Sequence, residues 1–121
     1  MSKRILVVED EEDNRRIMRD LLTSVGYEII EAGTGLEGVT AAETQLPDLI
    51  LMDIQLPGLD GYEATRRIKN NPTLRHIPII VVTSYALSGD DIKAFEAGCD
   101  AYISKPFSPR ALLAKVREYL P

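Results

Sequence analysis

The sequence predicts an α/β fold: a three-layer, doubly wound sandwich with five parallel strands in the order 2-1-3-4-5 and five helices. Apolar runs and amphipathic stretches alternate five times along the 121 residues. Three of the runs, Ile5–Val8, Leu49–Met52 and Ile79–Val82, are almost continuously apolar. That pattern belongs to parallel strands covered on both faces. The other two, Tyr27–Glu31 and Ala101–Ser104, are mixed and suit the edges.

The helices follow in order. Ile17, Met18, Leu21, Leu22 and Val25 form the first apolar stripe, with acids at 11–13 before it and Gly26 as its stop. Leu36, Val39, Ala42 and Leu46 form the second, ended by Pro47. The third, roughly 61–70, is mostly polar and stops before Asn71-Pro72. The fourth, roughly 88–97, has Ile92 and Phe95 as its main anchors and Gly98 as its stop. Leu112, Leu113, Val116 and Leu120 mark the fifth.

Size and composition narrow the function. A chain of this length fits one domain, 1–121, and its 45% apolar share is ordinary for a globular core. No segment approaches a membrane span, and the apolar run after Lys3-Arg4 is too short for a signal peptide. A formal net charge of −5 argues against nucleic acid or an anionic membrane as a direct partner. The single Cys99 offers neither an internal disulfide nor a metal-site spacing, and cytoplasm is the natural setting.

The chemistry sits at strand ends. The first apolar run ends at Glu9-Asp10, the third at Asp53, the fourth at Thr83 and the fifth at Lys105. Strand order 2-1-3-4-5 brings the ends of strands 1 and 3 together at the topological switch point, where such sheets bind ligands. Clustered carboxylates repel one another unless a cation or proton intervenes. Oxygen-only ligands in an open crevice favour Mg²⁺, and an aspartate carboxylate can accept a phosphoryl group. Asp53 is the candidate nucleophile; Lys105 supplies a cation and Thr83 a hydroxyl. Each residue has a plainer alternative. Asp10 could cap the first helix, Asp53 could be a metal ligand only, Thr83 could cap a helix, and Lys105 could be a surface lysine. Their joint placement favours the site. His76 and Cys99 fall at the opposite ends of their strands and read as a loop residue and a packing residue.

A second reading competes. Gly33-Thr34-Gly35-Leu36-Glu37-Gly38 matches a dinucleotide-binding fingerprint, with Asp53 about 20 residues on. However, the preceding strand is of edge type, Glu37 occupies the turn where a pyrophosphate would bind, and the length leaves no room for a second nucleotide half. An aspartate-nucleophile phosphatase would need an acid where Gln55 stands.

Together these residues resemble the receiver (CheY-like) domain of two-component response regulators. The resemblance spans essentially the whole chain. It rests on Ile5–Asp10, Asp48–Pro57, Gly58, Gly61, Val82-Thr83-Ser84 and Ala101–Phe107. Among stand-alone receivers the chain is similar to the DivK type, through 52–57 and 101–106. The resemblance implies a phosphorylation switch, not an enzyme beyond its own phosphorylation chemistry. Asp53 would take phosphate from a histidine kinase or histidine phosphotransfer protein. Asp10, Asp53 and the Gln55 carbonyl would ligate Mg²⁺, with Glu9 acting through a water. Thr83 and Lys105 would contact the phosphoryl group, and Tyr102 would be the switch aromatic. Lys105-Pro106 matches a cis peptide. Ser84 is small, as access to the phosphate requires, while Gln55 and Tyr85 would tune acyl-phosphate lifetime. Glu9 departs from the aspartate that many members carry. Because the sequence stops after the fifth helix, output is expected through a downstream protein partner. Asn14, Arg15, Met18, Pro106 and Phe107 resemble the surface that docks the phosphodonor.

Overall fold

The computed structural model describes residues 2–83 and 90–121. The chain runs β1 (Arg4–Val8), α1 (Glu12–Thr23), β2 (Glu28–Ala32), α2 (Gly35–Gln45), β3 (Leu49–Asp53), α3 (Gly61–Lys69), β4 (Ile79–Thr83), α4 (Asp90–Glu96), β5 (Ala101–Ser104) and α5 (Pro109–Tyr119). All four strand pairings are parallel, and the order is β2-β1-β3-β4-β5, as the sequence predicts.

The two-residue side-chain period of the strands sorts the core into two layers. Leu6, Val8, Ile50, Met52, Ile79 and Val81 face one way, against Ala42 of α2, Ala64 and Ile68 of α3 and Ala94 of α4. Ile5, Val7, Leu49, Leu51, Ile80 and Val82 face the other, against Met18 and Leu22 of α1 and Leu112 and Val116 of α5. Both faces need apolar residues, which is why β1, β3 and β4 read as unbroken apolar runs. Each fully buried Leu or Ile contributes roughly 1.5–3 kcal/mol. At the edge, β2 leaves Glu28 and Glu31 exposed.

Side-chain caps fix where three helices begin. Thr34 Oγ1 accepts from Glu37 N in α2, Asp60 Oδ1 from Glu63 N in α3, and Ser108 Oγ from Ala111 N in α5. Asp10 does not cap α1, because the N-cap position falls one residue later, at Glu11, which makes no side-chain cap hydrogen bond.

Several apolar stripes are seated differently from expectation. In α1 the buried residues are Met18 and Leu22, whereas Ile17 is 60% exposed. In α2 Gly35, Gly38 and Ala42 face inward, and Leu36 and Leu46 are exposed. The clearest correction is α4, where the expected anchors Ile92 and Phe95 are exposed and Ala94 and Ala97 are buried. Both pairs have the same three-residue spacing, so hydrophobicity favours the larger side chains. Close approach to the sheet selects the smaller ones. Cys99 packs into the core and His76 is exposed, as their positions imply.

Candidate functional site

Because every strand runs the same way, the carboxyl ends of β1, β3, β4 and β5 share one rim. Register sets the stagger: Val8 pairs with Met52, Asp53 with Val82 and Thr83 with Ser104. Glu9 extends β1 by one more bond, its N–H donating to the Ala32 carbonyl at 3.0 Å. Lys105 extends β5 in the same way, with its N–H 2.7 Å from the Thr83 carbonyl. The peptide between Lys105 and Pro106 is cis.

The side chains converge. Lys105 Nζ lies 3.1 Å from Glu9 Oε2 and 3.3 Å from Asp53 Oδ2, although Glu9 and Asp53 are almost fully buried. Asp10 is exposed beside them, and one carboxylate oxygen from each of Glu9, Asp10 and Asp53 lies within 4.8 Å of the others. Glu9, Asp10, Asp53, Gln55, Asn14 and Lys105 line an open cleft of about 490 Å³. Asp53 Oδ1 also accepts from Gln55 N at 3.2 Å, which ties the loop after β3 to the acid. Thr83 is fully buried at the end of β4, one register step beyond the partner of Asp53. Tyr102 of β5 is half-buried against the first core layer. Thus Glu9, Asp10, Asp53, Gln55 and Lys105 meet in one cleft, with Thr83 and Tyr102 on adjoining strands. Ser84 and Tyr85 lie outside the described residues.

Three carboxylates and one ammonium leave a net negative hollow. Burial pushes the Glu9 carboxyl up to about 7, helped by its hydrogen bond to Asp53 and by the Asp53 charge, with Lys105 opposing. Burial pulls the Lys105 ammonium down, but the charges of Asp53 and Glu9 outweigh it and the net shift is upward. A hard divalent cation would relieve the repulsion, and an all-oxygen donor set with an open side suits Mg²⁺ better than a soft metal.

Sequence reasoning missed what holds Glu9 in place. Arg15 Nη1 donates to the Glu9 carbonyl at 2.8 Å, while its Nε pairs with Glu31 Oε1 at 3.1 Å. Asn14 Nδ2 reaches Glu9 Oε1 at 3.3 Å. Arg15 is therefore a strut of the β1–α1 turn as well as a surface group. Its signal was only the charge complement between α1 and the acidic edge strand β2. The apolar part of the expected docking surface is present as a cleft of about 520 Å³ lined by Asn14, Ile17, Met18, Lys105, Pro106 and Phe107.

The competing fingerprint is accounted for locally. Glu37 Oε2 accepts from Gly33 N at 3.0 Å, so the N-terminus of α2 already holds a carboxylate where a pyrophosphate would bind. Nor is Cys99 reactive in character, since burial pushes its thiol up to about 11.

Known proteins match along the whole chain. The model of the response regulator receiver domain matches residues 5–117. The polar-differentiation response regulator DivK of Brucella ovis is 46% identical over 120 residues, covering 99% of this chain and 98% of that protein. The receiver domain of a sensor histidine kinase from Pseudomonas aeruginosa, solved with a magnesium ion coordinated in its active site cleft, superposes with a TM-score of 0.92 at 38% identity, covering 99% of this chain and 98% of that one. The chemotaxis protein CheY4 of Vibrio cholerae shares the fold, with a TM-score of 0.92 at 24% identity over 98% of this chain and 99% of that one.

Proposed function

This chain belongs to the response regulator receiver domain family and acts in two-component phosphorylation signalling; on that premise we propose that Asp53 is its phosphoacceptor. The observation that carries the reading is the Lys105 ammonium held within 3.3 Å of both Glu9 and Asp53 at the mouth of an acidic cleft. The phosphodonor is a phosphohistidine on a histidine kinase or histidine phosphotransfer protein. An Asp53 carboxylate oxygen attacks phosphorus, the phosphorus–nitrogen bond breaks, and the histidine nitrogen leaves with a proton.

Asp10, Asp53 and the Gln55 carbonyl would hold Mg²⁺, with Glu9 behind a water. When bound, the cation neutralises charge on the phosphoryl oxygens. The donor set supports this, being all oxygen and short of positive charge. This chain's residues then position the group. Lys105 turns from bridging two carboxylates to facing the phosphoryl oxygens, and the Thr83 hydroxyl donates from the end of β4.

The added charge drives the switch. Contacts to Lys105 and Thr83 bias a two-state element in which Tyr102 moves further inward. Reversing such an equilibrium needs roughly 5.5 kcal/mol of differential interaction. A charge-assisted bond worth about 1.5–3 kcal/mol from Lys105, joined by the Thr83 contact, supplies much of it. Output passes to a protein partner, and the chain works in the cytoplasm as a switch rather than as an enzyme on another substrate. Among the described residues, no helix is long and apolar enough to cross a membrane.

The test is labelling by acetyl phosphate with and without Mg²⁺. Wild type should label only with the cation, and Asp53→Asn should not label. Equal labelling of Asp53→Asn rejects the assignment.

A further inference from the structure

The glycine run at 33–38 binds no phosphate in this reading, yet two of its members pack against the framework of the site. A Cβ on Gly35 would lie 2.2 Å from the Leu59 carbonyl oxygen. One on Gly38 would lie 2.8 and 3.0 Å from the two γ-methyls of Val8. Leu59 belongs to the β3–α3 loop, which leaves Asp53 and carries Gln55, and Val8 immediately precedes Glu9. Gly33 differs, because its Cβ would meet side-chain ends and no backbone: Arg15 Nη1, 3.3 Å away, and the Glu37 carboxylate. The same loop is closed at its other end by Gly61, whose Cβ would stand 2.1 Å from the Asp53 carbonyl oxygen.

We propose that Gly35 and Gly38 are positioning residues of the phosphoacceptor site. Seated without side chains against Leu59 and Val8, α2 sets where the Gln55 carbonyl stands relative to Asp53 and Glu9. The inference rests on the reading of Asp53 and Gln55 given above.

The loop is the partner that gives way. Buried Ala42 anchors α2, and Thr34 with Glu37 locks its first turn. By contrast Gln55, Pro57, Gly58 and Asp60 of the loop are exposed. A carbon rests about 3.3 Å from a carbonyl oxygen at closest, so a methyl at Gly35 displaces the loop by roughly 1 Å. A misplacement of that size at a reacting centre costs up to about 10²-fold. At Gly38 the obstacle is Val8, fixed between β2 and β3, so a methyl there lifts α2 away from β1.

The experiment uses the full chain and reads Mg²⁺ affinity by calorimetry and the acetyl phosphate labelling rate at saturating Mg²⁺. Gly35→Ala should weaken Mg²⁺ binding by about tenfold or more and slow labelling by a comparable factor. Val116→Ala, which loosens the opposite core layer, should keep wild-type Mg²⁺ affinity despite lower stability. A folded Gly35→Ala protein with wild-type affinity and rate overturns the proposal. Should that variant not fold, Gly38→Ala decides. Its lost affinity must return when Val8→Ala is added, and no loss or no return refutes the idea. Wild type that neither binds Mg²⁺ nor labels on Asp53 would instead refute the site itself.

Discussion

Raising the pH without divalent cations should destabilise the folded chain through Glu9. In the native state its carboxyl is raised from 4.5 to about 7, first by burial and then by its hydrogen bond to Asp53 and the Asp53 charge. In the unfolded chain it returns to an ordinary value. Between those values the folded state binds more protons, so stability falls as pH rises. The contribution is whole below the unfolded value and lost on passing through the folded one. At about 1.4 kcal/mol per pH unit, it amounts to at most roughly 3–4 kcal/mol. Urea unfolding in chelator, between about pH 5 and about pH 8, should be compared for wild type and Glu9→Gln. The variant removes only this proton and serves as the baseline for every other group. Wild type should lose on the order of 2–3 kcal/mol relative to Glu9→Gln across that range. Parallel profiles would refute the reasoning. Mg²⁺ should restore more stability at the alkaline end, because its ligands must be deprotonated.

Three further outcomes follow from named contacts. Ile17→Asp, at an exposed position in the cleft beside Phe107, should slow phosphotransfer from a cognate histidine phosphodonor by about tenfold or more while leaving acetyl phosphate labelling unchanged; parallel loss in both assays would remove the docking role. Lys105→Met should cut the labelling rate by about 10²–10³ at saturating Mg²⁺ while the cation still binds, as calorimetry would read. Lys69 Nζ holds the Arg75 and Ile77 carbonyls and the Asp100 carboxylate. Its replacement by Met should lower stability by about 1–3 kcal/mol in urea without altering labelling.

Much of this was legible because two periodicities and one topology rule carry it. Apolar runs at 5–8, 49–52 and 79–82 name the buried strands, and the switch-point rule then gathers Glu9, Asp10 and Asp53 before any coordinate is known. The helix faces were harder to read. Ile92 and Phe95 outrank Ala94 and Ala97 on any apolar scale, yet close packing places the alanines inward. Gly35 and Gly38 looked like a phosphate loop because sequence records that a side chain is missing, not what fills its space. Here Leu59 and Val8 fill it. The role of Arg15 was hidden for a related reason: its partner is the Glu9 backbone carbonyl, which no side-chain pattern reveals.

The central claim is that one carboxylate, Asp53, carries the phosphoryl group, and its covalent adduct can be read directly. After Mg²⁺-dependent labelling, borohydride reduction and peptide mass spectrometry should place homoserine at position 53 and at no other acid. Homoserine at position 10, 5-hydroxynorvaline (the corresponding product from glutamate) at position 9, or neither product at any acid after demonstrated labelling, would contradict the account.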